Sequence, residues 1–302
     1  MQKLSASAAI LGLGLIGSAA IAGCGIQSAT AVASTITPSS HQTTSPSPSI
    51  TGSATGVSAG TPITSTAPSS PAAPANPFPT IIGMAMAHVP SNLLRNPMAP
   101  TELPLAQSGS TNMYYDRTVT EEPVPSYSVQ LSSRSASLAS FGATSYSSAQ
   151  QAADAAAINP YAQGPGGTTN GQEDLGSHIS GAVITYNGQA TSAMTNQPWA
   201  AVTWHEGRWL IDVTNYGSTT VPTAEAKQVA AALATHYLPP PEIQGALFVS
   251  LYKNAGASTA SLEVDVQWEE GSTTYTVDAY KGAVNPLDTA IRMAIAMTPY
   301  PG

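Results

Sequence analysis

The chain carries very little charge for its length. Of its 302 residues only 9% are Asp, Glu, Lys or Arg, against about 25% in an ordinary soluble domain. Acidic residues outnumber Lys and Arg by 17 to 9, which leaves a formal net charge of −8. Because basic residues form no stripe, we expect no nucleic-acid partner. A surface poor in fixed cations also suits an acidic exterior, where carboxylates lose their charge, and an acidic habitat is therefore a hypothesis.

Cysteine is almost absent, since Cys24 is the only one in the chain. A disulfide within the chain is therefore excluded, and a folded part must be held by its hydrophobic core. The roughly 220 residues after position 79 are enough to build such a core.

No charged residue occurs between Lys3 and Arg95. The start of this stretch has an apolar segment at 9–16, then small residues, then Ile-Ala-Gly-Cys ending at Cys24, an order typical of a secretory signal. The tetrapeptide resembles the lipobox of bacterial prolipoproteins. That resemblance implies cleavage after Gly23, diacylglycerol transfer to the Cys24 sulfur and acylation of the new amino terminus.

Two other interpretations of the first segment stay open. Nearly 20 uncharged residues approach the length of a membrane span, although serines and glycines dilute them. The segment also fits a plain signal peptide with an incidental cysteine. We favour the lipoprotein, whose two or three acyl chains would hold it firmly on the extracytoplasmic side of the cell membrane.

The composition predicts three parts. Residues 1–23 form the signal peptide, and residues 24–79 form a disordered tether rich in Ser, Thr and Pro. Residues 80–302 form one α+β domain, whose first part (80–124) is an extended lead-in without a firm helix. Within the domain we expect a helix over 148–157 and a loop over 162–178.

Two β-hairpins give the clearest signal of the fold. In the first, a two-residue turn at Glu206-Gly207 would place Trp204 opposite Trp209. In the second, a four-residue loop at 270–273 would place Trp268 opposite Tyr275. A predicted helix follows each hairpin, over 223–237 and from the capping residue Asn285 onward. The sequence thus predicts antiparallel hairpins packed by helices, in two ββα repeats bridged by a strand at 246–252.

This hairpin and helix order resembles uncharacterised secreted lipoproteins of Gram-positive bacteria, as does the segment Phe141 to Tyr146 before an Ala-rich helix. The resemblance implies a location and brings no activity.

Three carboxylates of the second hairpin are candidates for chemistry, because its predicted pairing would bring them together on one surface. They are Glu263, Asp265 and Asp278, on the face opposite the tryptophans. Held in a cleft, paired carboxylates perform glycosidase chemistry. On an open polar face they are solvent-facing strand residues, and this is the interpretation that we favour.

Other motifs are weaker. His178 near Glu173 and Asp174 would supply a metal or acid–base site, but a Gly-rich loop favours solvated side chains. Ser250-x-x-Lys253 matches the motif of penicillin-recognising enzymes, yet it lies on a predicted strand, where the two side chains diverge. His205-Glu206 lacks the second histidine of a zinc site. We therefore expect neither metal nor cofactor.

The leading functional hypothesis is a non-catalytic binding or envelope-interaction module, with cell-wall or envelope components as partners. One alternative is a hydrolase of wall glycan or peptide that uses the hairpin carboxylates. Another is a carrier of an apolar molecule in a cavity between sheet and helices. We expect the tryptophans in the core, while an uncovered aromatic face would be a platform for sugar or peptide.

Overall fold

The computed structural model describes residues 76–159, 166–188, 197–252 and 261–301. In this part of the chain, helices lie on both sides of a long β-sheet. The elements in chain order are α1 (Thr80–Met86), β1 (Met98–Pro100), β2 (Tyr114–Thr120), β3 (Ser126–Ser132), β4 (Ser137–Ser145), α2 (Ala149–Ala156), β5 (Thr168–Gly176), β6 (Ile179–Tyr186), β7 (Trp199–Glu206), β8 (Trp209–Tyr216), α3 (Thr223–Leu233), β9 (Gly245–Tyr252), β10 (Ser261–Glu270), β11 (Thr273–Ala279), α4 (Pro286–Ile295) and β12 (Met297–Pro299).

Ten of the strands form one sheet in the order β2-β3-β4-β11-β10-β9-β8-β7-β6-β5. Neighbours are antiparallel except β8 and β9, which run parallel because α3 carries the chain back between them. The short strands β1 and β12 pair with each other. All described residues belong to one compact unit. The predicted α+β fold of antiparallel hairpins packed by helices is confirmed.

One side of the sheet, here called the helix face, carries the main hydrophobic core. Strand side chains alternate between the two sides, and those on this side are apolar on β3, β4 and β7–β11. Buried residues of α1, α3 and α4 pack against them, including Ile82, Val229 and Ile291. The helix face therefore supplies most of the apolar burial that stabilises the domain, which has no disulfide to hold it together.

The opposite side, here called the polar face, carries α2. Ser148 caps this helix by accepting a hydrogen bond from the backbone N–H of Gln151. The hydroxyl of Thr274 donates to the carbonyl of Ala152 at 2.8 Å. Because Thr274 pairs with Glu269, this bond fixes α2 near the hairpin-turn ends of β10 and β11.

Both hairpins close with a glycine first in a two-residue turn. Gly207 has φ 61° and Gly271 has φ 59°, a conformation that glycine adopts without strain. In the second hairpin Trp268 pairs with Tyr275, as predicted, although the connection is shorter than four residues. In the first, Trp204 pairs with Ile211 rather than Trp209. That predicted register is wrong because the turn lies at 207–208, one residue further along, but every side chain keeps its face.

Two predicted boundaries are wrong. The expected loop at 162–178 contains the edge strand β5, whose mostly polar, exposed residues give no apolar alternation. Helix α3 ends at Leu233, not at Tyr237, and the Thr235 hydroxyl just beyond it donates to the Ala232 carbonyl at 2.9 Å. Tyr237 lies beyond the helix and is 89% exposed.

The ends of the domain are more regular than expected. The lead-in predicted over 80–124 contains α1 and the edge strand β2. At α4, the Asn285 side chain accepts from the backbone N–H of Asp288, which confirms the predicted cap. The buried side of α4 includes Met293, while Ile295 is 42% exposed.

Candidate functional site

The three predicted carboxylates lie together on the polar face. Asp265 on β10 pairs directly with Asp278 on β11, and Glu263 lies two residues before Asp265 on the same side. The favoured interpretation of solvent-facing strand residues is wrong for Asp265, which is only 2% exposed. The polar face is covered there, and α2 packs on the same strands. Burial of this kind depends on tertiary packing, which alternation along a strand cannot predict.

Asp265 and Asp278 form a hydrogen-bonded carboxyl pair. The Asp265 Oδ2 atom accepts from Gln267 Nε2 at 2.7 Å. Its Oδ1 atom is buried and accepts from no donor of the described residues. Two ionised carboxylates have no donor between them, so the pairing with Asp278 favours the protonated form of Asp265 and raises its pKa.

The surroundings keep the proton on this pair. Burial, and then the charge of Asp278, raise the pKa of Asp265 well above its ordinary value. Burial also raises the pKa of Asp278, against hydrogen bonds from Ser140 and Tyr280. The Ser140 hydroxyl donates to Asp278 and lies 3.1 Å from the Tyr280 hydroxyl. Ser140, Asp278 and Tyr280 thus form a polar network beside Asp265 near the centre of the sheet.

Asp212 is a further acidic residue on the polar face, close to the Asp265–Asp278 pair. It lies on β8 and pairs with Phe248 of β9, which in turn pairs with Asp265. The Thr214 hydroxyl donates to its carboxyl group. Burial raises the pKa of Asp212 to about 6. The sequence places Asp212 on the face opposite the tryptophans, but nothing in the sequence signals its burial.

Glu263 is the more accessible acidic residue of the predicted set. It is half-buried, and burial raises its pKa while the nearby charge of Lys281 lowers it. Glu263 also lies close enough to Tyr252 on β9 for its charge to contribute to the raised pKa of that tyrosine.

Four aromatic side chains form a line across the polar face, one on each of β6, β7, β8 and β9. We call Tyr186, Trp199, Tyr216 and Tyr252 the aromatic row. Each residue pairs in register with the next, and all are half-buried. The rings of Tyr216 and Tyr252 stack with centroids 5.1 Å apart, and those of Tyr186 and Trp199 lie 6.2 Å apart.

Sequence reasoning missed the aromatic row because it exists only when four strands lie side by side. Each of these aromatic residues lies at the end of its strand, and this position is the single local feature that could have indicated the row. Burial raises the pKa of Tyr252 to about 12, partly offset by a hydrogen bond with Ser250. Burial also raises the pKa of Tyr216, with the charge of Asp212 acting in the same direction.

The other tryptophans lie in the core, as expected. Trp204, Trp209 and Trp268 are 4%, 8% and 0% exposed. The indole N–H of Trp204 donates to Glu206 at 3.0 Å, and that of Trp268 donates to Glu270 at 3.3 Å. The two hairpins therefore satisfy a buried indole in the same way, which supports reading them as repeats.

The weaker predicted sites do not assemble. His178 is exposed in the β5–β6 turn with φ 66°, and Asp174 accepts the backbone N–H of Gly176. Within the described ranges no group of three His, Cys, Asp or Glu is arranged to hold a metal ion. Ser250 is buried on β9. Gly23, Cys24 and Lys253 lie outside the described residues.

One depression between sheet and helix bears on the carrier hypothesis. Trp209, Leu233 and Tyr237 are among the residues that line it, and its volume is about 200 Å³. Ligand pockets usually measure about 300–1,000 Å³. This depression is therefore small for a lipid.

Comparisons with protein-family models, with curated proteins and with solved structures found no match for the chain. Among the described residues, no helix combines the length and the apolar character that crossing a membrane requires.

Proposed function

We propose that the protein is a lipid-anchored, extracytoplasmic binding module that contacts components of the cell envelope through the polar face of its sheet. The anchor is proposed from the lipobox-like sequence that ends at Cys24. The binding role rests on the character of the polar face, which combines an aromatic row with half-buried acidic and hydroxyl groups.

One observation favours binding over hydrolysis, namely the direct contact between Asp265 and Asp278. A glycosidase holds its two carboxyl groups about 5–9.5 Å apart, on either side of the bond to be cleaved. Here the two groups hydrogen-bond each other, and Asp265 is 2% exposed. A glycosidic bond has no space between them, so these residues suit a structural network better than a catalytic pair.

The anchor is tested by the intact mass and membrane partitioning of the native protein beside a Cys24→Ala variant. We expect a native chain that begins at Cys24, carries acyl mass and partitions into membranes, whereas the variant stays unprocessed or is released. A Ser40→Ala variant in the same region should behave as native. An unacylated native protein that retains Met1 to Gly23 would contradict the lipid anchor.

The binding role is tested by sedimenting isolated cell walls of the source organism with the full-length protein in detergent micelles. The same incubation is assayed for soluble sugars and peptides released from the wall. Binding without release is expected. Release that disappears in an Asp265→Asn variant would instead establish a hydrolase, and failure to sediment with walls would contradict the proposed role.

A further inference from the structure

A groove lies where the end of α1 meets the last residues of the described chain, and we call it the α1 groove. Its volume is about 390 Å³, within the range of about 300–1,000 Å³ that is usual for ligand pockets. Val89, Pro90, Pro97 and Tyr300 are among its lining residues, and these four are half-buried. The groove is therefore large enough for a ligand and is lined partly by proline and aromatic rings.

The lining of the α1 groove favours an uncharged occupant. None of the described residues that line it is Asp, Glu, Lys or Arg, so a strongly charged ligand finds no ion-pair partner there. The Tyr300 ring and the proline rings offer apolar surface, and Ser91 and His88 add side-chain hydrogen-bond donors. A proline-rich segment suits these groups, because its rings pack on aromatic surface and its free carbonyl groups accept hydrogen bonds.

The chain itself carries such a segment directly before α1. Residues 70–77 read Ser-Pro-Ala-Ala-Pro-Ala-Asn-Pro, so prolines recur at every third position, as Pro71, Pro74 and Pro77. A polyproline II helix has three residues per turn, and this spacing places all three proline rings on one side of it. The segment contains no charged residue. Its sequence therefore matches the lining of the groove in both ring content and charge.

The segment joins the described chain beside the α1 groove. Phe78, the residue that follows the segment, is 8% exposed and packs on Tyr300 with ring centroids 4.9 Å apart. The Phe78 N–H donates to Asn76 Oδ1 at 3.0 Å, and the Tyr300 N–H donates to the Pro97 carbonyl at 2.8 Å. The point at which the segment enters the domain is thus held one side chain away from the groove. Residues 70–75 lie outside the described residues.

We infer that residues 70–77 dock in the α1 groove as a polyproline II helix, so that the domain binds the end of its own predicted tether. A short covalent link gives such a segment an effective concentration in the millimolar range. A dissociation constant of about 0.1 mM for the separate segment would then be enough to fill about nine-tenths of the grooves. The inference is independent of the proposed envelope role. Docking also closes the groove to the apolar molecule of the carrier hypothesis.

His88 makes the docking measurable, because it lines the groove and is exposed in the described chain. Diethyl pyrocarbonate acylates accessible histidine rings, and mass spectrometry of the digested protein gives the rate at each histidine. The full-length protein is labelled in detergent micelles beside a double variant with Pro71→Ser and Pro74→Ser. His178 serves as the internal reference, since it is exposed in the β5–β6 turn.

We expect the double variant to raise the labelling rate of His88 at least about threefold, because the undocked groove exposes the ring. The rate at His178 should stay the same. The matched control is Pro46→Ser with Pro48→Ser, which removes two prolines of the same predicted tether outside the three-residue repeat, and it should label as native. A capped peptide with the sequence of residues 70–77, added at about 1 mM, should restore slow labelling of His88 in the double variant.

Equal labelling of His88 in the native protein and in the double variant would overturn the inference. An equal rate that rises on dilution would assign the groove to a second copy of the chain, and one that changes with the detergent would assign it to the micelle. Both results also overturn docking by residues 70–77. None of these measurements involves cell walls or acyl mass, so a failure here leaves the proposed function standing. Failure to sediment with walls in turn leaves the docking unaffected.

Discussion

Lowering the pH from about 7.5 to about 4.5 is expected to raise the free energy of unfolding by about 2 kcal/mol through Asp212 alone. The folded protein holds the pKa of Asp212 at about 6, against 3.8 ordinarily, because the side chain is buried. A raised pKa means that the folded state binds the proton more tightly. The stabilisation is therefore fully present below about pH 3.8 and is lost as the pH rises through about 6.

The full contribution of this shift is about 3 kcal/mol. The pKa values of Asp265 and Asp278 are raised as well, so both act in the same direction. Urea denaturation of the full-length protein in micelles at several pH values measures the effect. A free energy of unfolding that falls as the pH decreases from 7.5 to 4.5 would contradict the burial of these groups.

The Asp212→Asn variant isolates the contribution. Its amide oxygen still accepts from Thr214, and it imitates the protonated carboxyl without a titrating group. We expect about 3 kcal/mol of added stability near pH 7.5 and little change below about pH 4. Asp116→Asn is the matched control, because Asp116 is exposed on β2. Its stability should change by less than about 0.5 kcal/mol.

The direction of this pH dependence connects the composition with the buried network. A chain with few charged residues has few surface ion pairs that acid could break by protonating their carboxylates. The pKa values of Asp212, Asp265 and Asp278 are raised by burial, so protonation of these three groups in acid stabilises the folded state. Both features favour the hypothesis of an acidic exterior, and the stability profile tests it.

Local pattern was enough to predict the hairpins and which residues share a face. Alternation put Trp204 and Ile211 on one side and Asp265 and Asp278 on the other, because strand periodicity requires it. Pattern could not predict that Asp265 is buried, since the layer that covers it comes from residues distant in the sequence. The same holds for the aromatic row, in which Tyr186 and Tyr252 come together only through the strand order β6-β7-β8-β9.

Strand β5 shows a different limit of sequence reasoning. Its nine residues are mostly polar and exposed, and its pairing with β6 shifts register twice. An edge strand buries little, so its residues need no apolar alternation. Backbone hydrogen bonds to β6 form it, and such bonds leave no trace in side-chain pattern.

The second large effect is expected at Glu269, whose replacement by alanine should lower the free energy of unfolding by about 2–4 kcal/mol. Glu269 is fully buried on β10. Its carboxylate accepts the backbone N–H groups of Ile243 and Gln244, the latter at 3.0 Å. These residues join α3 to β9, the step that makes β8 and β9 parallel. Truncation leaves two donors without an acceptor, each at a cost of about 1–3 kcal/mol, partly relieved by water.

Hydrogen exchange locates this effect within the chain. In Glu269→Ala the amides of Ile243 and Gln244 should lose protection more than those of β10, because the connection opens before the sheet does. Glu269→Gln keeps one acceptor oxygen and should lose less stability. Glu242→Ala is the matched control, since Glu242 is exposed in the same connection. Equal exchange at Ile243 and Gln244 in all three variants would mean that the Glu269 carboxylate does not hold the crossover.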